Sequence, residues 1–236
     1  MTTEPPADGT RPASAGRVPD APSNGAANAL PNPGEELLTL RGVNKSFGSV
    51  DVLKDVNIDV PAGKVTALVG DNGAGKSTLI KTISGISEPD NGDIRWKGQS
   101  VNIKSPKDAT ALGIATVYQD LALADNLDIV QNVYLGRELR SHHFLLDESA
   151  MEIGARHALD DLSVVTVHSV RQLVGSLSGG QRQAVAVAKA VMGNAQLVIM
   201  DEPTAALGVS QTRIVLDLIA RLASRGVAVL VISHNL

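Results

Sequence analysis

The chain has 236 residues, 43% of them hydrophobic, enough for one α/β domain with a sizeable core. Its formal net charge is −4, and two basic against five acidic residues in positions 1–36 supply most of it, so the rest is nearly neutral and nucleic acid is not an expected partner. Cysteine is absent, no apolar stretch reaches bilayer-spanning length, and the N-terminus lacks a signal-like apolar core; disulfide chemistry and a membrane span are therefore excluded, and any transport role needs separate membrane subunits.

Residues 1–34 hold seven of the eleven prolines and no aromatic side chain. Such a segment cannot bury enough surface to offset its ordering entropy, so it reads as a disordered, solvated tail ahead of a domain at 35–236. From Leu37 the pattern changes. Leu38-Thr39-Leu40 and Val56-Asn57-Ile58-Asp59-Val60 alternate like antiparallel strands, and Pro61-Ala62-Gly63 forms a turn. The apolar run Val65–Val69 predicts a buried strand.

Next comes Gly70-Asp71-Asn72-Gly73-Ala74-Gly75-Lys76-Ser77-Thr78, which fits the phosphate-binding P-loop (Walker A) pattern. Leu79, Ile80 and Ile83 follow at helical spacing, so the context is strand, glycine loop, helix, as the motif requires. Glycines 70, 73 and 75 let the backbone turn its N–H groups into one concavity, and the helix start adds partial positive charge. Lys76 can reach the β- and γ-phosphates of a nucleotide, and the Ser77 hydroxyl can ligate Mg²⁺.

Gly92–Trp96 reads as a strand, Ser105-Pro106 as a helix start with proline at its first position, and Ile114–Tyr118 as a strand ending at Gln119. Residues of about 120–178 are mostly helical in pattern, with Met151, Ala155, Ala158 and Leu162 on one face. His142-His143 lacks a cysteine neighbour and adjacent side chains diverge, so the pair reads as surface loop. Leu177-Ser178-Gly179-Gly180-Gln181 then opens a helix, with Ser178 as its N-cap. Its exposed, glycine-lined start offers a second anion site.

Gln196–Met200 predicts a strand buried on both faces, ending at Asp201-Glu202. Asp201 is suited to the Mg²⁺ shell and Glu202 to polarising an attacking water. Val209–Ala223 reads as a helix and Val227–Ile232 as a buried strand leading to His234.

In this order the motifs resemble those of the nucleotide-binding subunits of ATP-binding cassette (ABC) transporters, from about Leu37 to the last residue. The resemblance implies an α/β fold: a P-loop core with a parallel sheet, an antiparallel β subdomain and a helical subdomain. It implies ATP and Mg²⁺ as cofactors and a homodimer in which the loop of one subunit and the Ser178–Gln181 signature of the other sandwich each ATP. Phe47 stands where an aromatic stacks on adenine, with Val52 beside it. Gln119 matches the glutamine that contacts Mg²⁺ and senses the membrane partner, and His234 the histidine that contacts the γ-phosphate. Residues 69–76 and 201–208 resemble the branch that imports monosaccharides such as ribose, fructose or xylose. Gly208 is part of that likeness, since most members carry an aspartate there that helps join the two sites.

The expected activity is ATP hydrolysis at the cytoplasmic face of the membrane, coupled to permease subunits and, through them, an external substrate-binding protein. A soluble ABC-type ATPase acting in DNA repair or on ribosomes is the alternative; the long coiled-coil insertions or paired cassettes of such proteins are not visible. Relative to the family pattern, the chain stops early after His234, and a later helix and strands are expected to cover that strand edge.

Overall fold

The computed structural model describes residues 31–141, 145–164 and 166–234. The His142-His143 pair and most of the proline-rich segment lie outside the described residues. In chain order the strands and helices are β1 (Glu36–Phe47), β2 (Val50–Pro61), β3 (Val65–Val69), α1 (Lys76–Ile83), β4 (Asn91–Trp96), β5 (Gln99–Ser100), α2 (Pro106–Leu112) and β6 (Ile114–Val117). There follow α3 (Ile129–Tyr134), β7 (Arg140–Ser141), β8 (Leu145–Leu146), α4 (Glu148–Asp161), α5 (Gly179–Val191), β9 (Leu197–Asp201), α6 (Val209–Ser224) and β10 (Ala228–Ser233).

Two sheets organise the molecule. An antiparallel one has the order β2-β1-β4-β5, and a parallel one the order β3-β10-β9-β6. The parallel sheet explains the patternless apolar run at 197–200. Leu197 and Ile199 face a core shared with α1 and the antiparallel sheet, while Val198 and Met200 face a second core built with α3, α4, α5 and α6. A strand covered on both faces has no polar side to show. β10 alternates likewise: Ala228, Leu230 and Ile232 join the first core and Val229 the second.

β3 departs from the sequence expectation. It is a strand, but Val65 and Val69 are 46% and 43% exposed. β3 is hydrogen-bonded on one side only, to β10, and its odd-numbered side chains stand where α6 gives partial cover. An apolar run cannot distinguish a central strand from an edge.

The helix starts follow the predicted caps. Ser105 caps α2 by accepting from the Asp108 N–H, with Pro106 in the first turn. Ser178 caps α5 in a reciprocal capping box with Gln181. On α4 the buried face is Met151, Ala155 and Leu159; Ala158 is only partly buried, and Leu162 packs just beyond the helix end. The β7–β8 hairpin interrupts the helical stretch. The ordered domain begins a few residues before position 35: Gly34 donates to the Ala62 carbonyl at 2.8 Å, and Asn32 is held by the Glu35 carboxylate at 2.7 Å.

Candidate active site

The four parallel strands end together. Ser233 is opposite Val69, Ile232 is opposite Asp201, and Met200 is opposite Val117. The residues leaving this carboxyl edge are therefore Gly70–Thr78, His234, Glu202 and Gln119, side by side. Open α/β sheets bind their ligands at this edge.

The loop has the conformation its glycines allow. Gly73 and Gly75 take φ of +87° and +85°, a region costly for other residues. At Gly75 a second constraint acts: a Cβ there would lie 2.7 Å from the Val52 carbonyl oxygen and 3.0 Å from Leu53. Val52 thus lies against the loop, as expected. Gly75 is also the N-cap of α1 and supplies no side-chain acceptor, so the first N–H groups of the helix face the loop concavity. Lys76 folds back over it, its Nζ donating to the carbonyl oxygens of Gly70 and, at 2.9 Å, Asp71.

Phe47 ends β1, pairs with Val50 across the hairpin, and is 53% exposed. The Lys45 ammonium lies 5.6 Å from its ring centroid, a cation–π contact that leaves ring surface open for stacking.

The acidic pair sits at the end of β9. Burial pushes the Asp201 carboxyl above its ordinary range, the neighbouring Glu202 pushes the same way, and Lys76 opposes both. The sign is informative. A raised folded-state value makes the ionised form of Asp201 a cost to the fold at neutral pH. That cost falls as pH drops through the folded value or as a cation approaches. Asp201 and the Ser77 hydroxyl, with the Gln119 amide, are hard oxygen donors of the kind Mg²⁺ takes. Among the described residues no group of three His, Cys, Asp or Glu could hold a metal by itself.

Glu202 turns back toward β10. Its backbone is left-handed, φ +48°, and its N–H donates to the Ile232 carbonyl at 2.9 Å. One carboxylate oxygen is 2.8 Å from His234 Nδ1, and the other accepts from the Ser233 hydroxyl at 3.4 Å. The Glu202 side chain is largely buried while that of His234 is half exposed. The two residues expected to be catalytic are thus brought together, a base candidate oriented by a neighbour. Ser233 was not anticipated; a serine between an apolar strand and a histidine carries no motif.

The signature stands apart from the loop. Gln181 donates through Nε2 to the Thr166 carbonyl. A Cβ on Gly179 would meet Leu207 at 2.7 Å, and one on Gly180 would meet Gln211 at 3.4 Å. None of these partners belongs to residues 70–78, so within one chain the two phosphate-directed motifs do not share a site. Gln119 is exposed two residues beyond β6. The largest concavity, about 410 Å³, opens not at the glycine loop but beside Gln119, lined by Ser84, Tyr118, Leu121, Leu135, Arg137 and Lys189 among others.

Comparison with known proteins agrees with this geometry. The family described as "ABC transporter" matches residues 53–205. The chain is 47% identical over 208 residues to the fructose import ATP-binding protein FrcA of Rhizobium meliloti, covering 86% of this chain and 80% of that protein. It is 49% identical over 201 residues to the xylose/arabinose import ATP-binding protein XylG of Sulfolobus acidocaldarius, covering 85% and 79%. The ribose import ATP-binding protein RbsA of Caldanaerobacter subterraneus is 40% identical, over 86% of this chain but only 40% of its own length. Among solved structures, a nucleotide-free ATP-binding cassette from an ABC transporter superposes with a TM-score of 0.73 at 27% identity, covering 85% of this chain and 82% of that one.

Proposed function

Since this chain belongs to the ABC transporter family, we propose that it is the ATP-hydrolysing subunit of a membrane importer whose substrate is a monosaccharide. The observation that carries the reading is the line of strand ends that sets Glu202 and His234 beside the phosphate-binding loop. The sugar class is supported by the fructose and xylose/arabinose importers that the chain resembles over four-fifths of their length.

In this reading the loop N–H groups of residues 70–78 and Lys76 hold the triphosphate, and Phe47 and Val52 hold the adenine. Ser77, Asp201 and Gln119 take the magnesium ion, which when bound neutralises phosphate charge. Glu202 accepts the proton of the attacking water, and His234 steadies both that carboxylate and the terminal phosphate. The buried, raised Asp201 supports a cation at this place, because a positive charge relieves its desolvation.

Ser178–Gln181 serves a second copy of the chain. Its separation from residues 70–78 within one subunit supports a dimer in which each signature closes the other's site. Among the described residues no helix is long and apolar enough to cross a membrane. As an importer subunit the chain works through membrane-embedded permease subunits at the cytoplasmic face, and through them with an external binding protein. The concavity beside Gln119, with its apolar walls and Leu135 half exposed, is the docking groove we assign to the permease.

The test is uptake of labelled fructose, xylose and ribose into proteoliposomes holding the permease subunits, with ATP on the side of this chain. Uptake of at least one sugar, abolished by Lys76→Ala, is expected. ATP hydrolysis without uptake of any monosaccharide would overturn the substrate class and leave the ATPase intact.

A further inference from the structure

The segment between Gln119 and α3 has two halves that are held very differently. In the first half, residues 120–123, one hydrogen bond is found, a long 3.5 Å contact from the Ala122 N–H to the Asp120 carboxylate, and Ala122 has a left-handed backbone, φ +49°. This half lines the 410 Å³ concavity.

The second half is fastened at nearly every residue. Asn132, fully buried on α3, accepts from the Ala124 N–H at 2.7 Å and donates to the Ala124, Leu127 and Asp128 carbonyls. The Asp125 carbonyl accepts from Gly175 at 2.9 Å and the Leu127 carbonyl from Val174 at 3.0 Å. Ile129 and Val130 donate to Gln172 and Val170. Residues 124–130 and 170–176 are therefore one stitched block, and 170–176 runs directly into Leu177 and Ser178.

One side chain on α5 grips both strands of that block. Arg182, one turn into the helix that the signature opens, places NH1 3.0 Å from the Asp125 carboxylate and donates NH2 to the Gly175 carbonyl at 3.2 Å. The approach is tight: a Cβ on Gly175 would lie 2.9 Å from the Asp125 carbonyl oxygen.

We infer that Arg182, through Asp125 and Gly175, is a positioning residue that makes the start of the signature helix follow the segment leaving Gln119. This rests on the dimeric ATPase reading and adds a regulatory route to it. A partner in the concavity touches residues 118–122, the loosely held half bends, and the stitched block carries the displacement to Ser178–Gln181. Arg182 touches neither the glycine loop nor the acidic pair, so its effect is on how the signature is presented and not on ATP capture by its own chain.

The test compares Arg182→Gln, Asp125→Asn and the charge swap Asp125→Arg with Arg182→Asp in the full chain. Amide hydrogen exchange of the purified protein is the first readout. Each single variant should speed exchange at both 124–128 and 177–183, by roughly two- to fivefold for a partly exposed ion pair, and the swap should restore both segments. The second readout is steady-state hydrolysis: kcat should fall in the single variants and recover in the swap, while fluorescent-ATP affinity stays at the unaltered value. Exchange that changes at one segment alone, or a swap that behaves like the single variants, would overturn the inference. Loss of ATP binding in the unaltered protein would instead refute the nucleotide reading, and the exchange result would still decide the role of Arg182.

Discussion

Removing the Asn132 amide is the sharpest available test of how the chain between Gln119 and α3 is held. Asn132 is completely buried and makes four hydrogen bonds, all to main-chain groups of residues 124–128. Three of the four acceptors or donors are not left alone in Asn132→Ala. The Ala124 carbonyl still accepts from Leu127, the Leu127 carbonyl from Val174, and the Asp128 carbonyl from the Asn132 N–H itself. Only the Ala124 N–H has no second partner. An orphaned, poorly hydrated donor costs about 1–3 kcal/mol, and the lost net bonds add to that. The expected total is about 2–4 kcal/mol, which for a domain of this size lowers the melting temperature by about 5–15 °C. Asn132→Asp tests the geometry more sharply. It keeps the acceptor for Ala124 but turns a carboxylate oxygen toward three carbonyls, so it should destabilise at least as much as alanine despite its closer shape. Thermal and urea unfolding of the three proteins, with fluorescent-ATP binding as a control for an intact loop, makes the comparison. A loss under about 0.5 kcal/mol for Asn132→Ala, the usual range of an unimportant surface change, would show that the amide does not hold this segment.

Other expectations concern the site itself. Lys76→Ala should weaken ATP binding about 10- to 150-fold, the value of a charge-assisted hydrogen bond of about 1.5–3 kcal/mol; equal binding of labelled ATP would refute the loop assignment. Glu202→Gln keeps the size of the side chain and loses its basicity, so hydrolysis should fall by about two orders of magnitude or more while ATP still binds, and light scattering should then show ATP-dependent dimers. Gly208 is the N-cap of α6 with extended backbone and no capping side chain, and a Cβ added there would meet nothing within 4 Å. Gly208→Asp should therefore cap the helix and raise stability by a few tenths to about 1 kcal/mol, and a melting temperature that drops would show that this position is constrained in a way the single chain does not reveal.

The sequence was most informative where a local rule has one structural answer. Ser105-Pro106 and Ser178 through Gln181 mark helix starts because a side-chain oxygen must meet free N–H groups there, and both do so. Glycines 73 and 75 mark a loop because only a residue without Cβ accepts their backbone at low cost. What stayed hidden depends on neighbours that no local pattern names. Val65–Val69 and Leu197–Met200 look alike as apolar runs, yet one is an edge and the other a centre. Asn132 reads as an ordinary polar residue in an amphipathic stretch, and only the fold brings four main-chain groups to its amide. Asp125 and Arg182 are far apart in sequence, and each alone is an ordinary charged residue.

Glu202 is the most instructive case, because local rules point away from its actual conformation. Pro203 follows it, and a proline crowds the residue before it out of the right-handed α region toward an extended backbone. The expected course is therefore a strand that simply runs on past Asp201. Instead Glu202 is left-handed at φ +48°, which for a non-glycine residue costs on the order of 1–3 kcal/mol. The compensation is visible: its N–H bonds to the Ile232 carbonyl, and its carboxylate meets His234 and Ser233. In the extended alternative Glu202 would continue the β9 direction and lose the turn toward β10 that brings it to His234. The strain thus falls on the residue whose carboxylate the proposed chemistry needs, and it turns that carboxylate toward the strand that carries the histidine. A motif of adjacent Asp and Glu fixes which residues are present; the left-handed turn is what sends their side chains to different tasks.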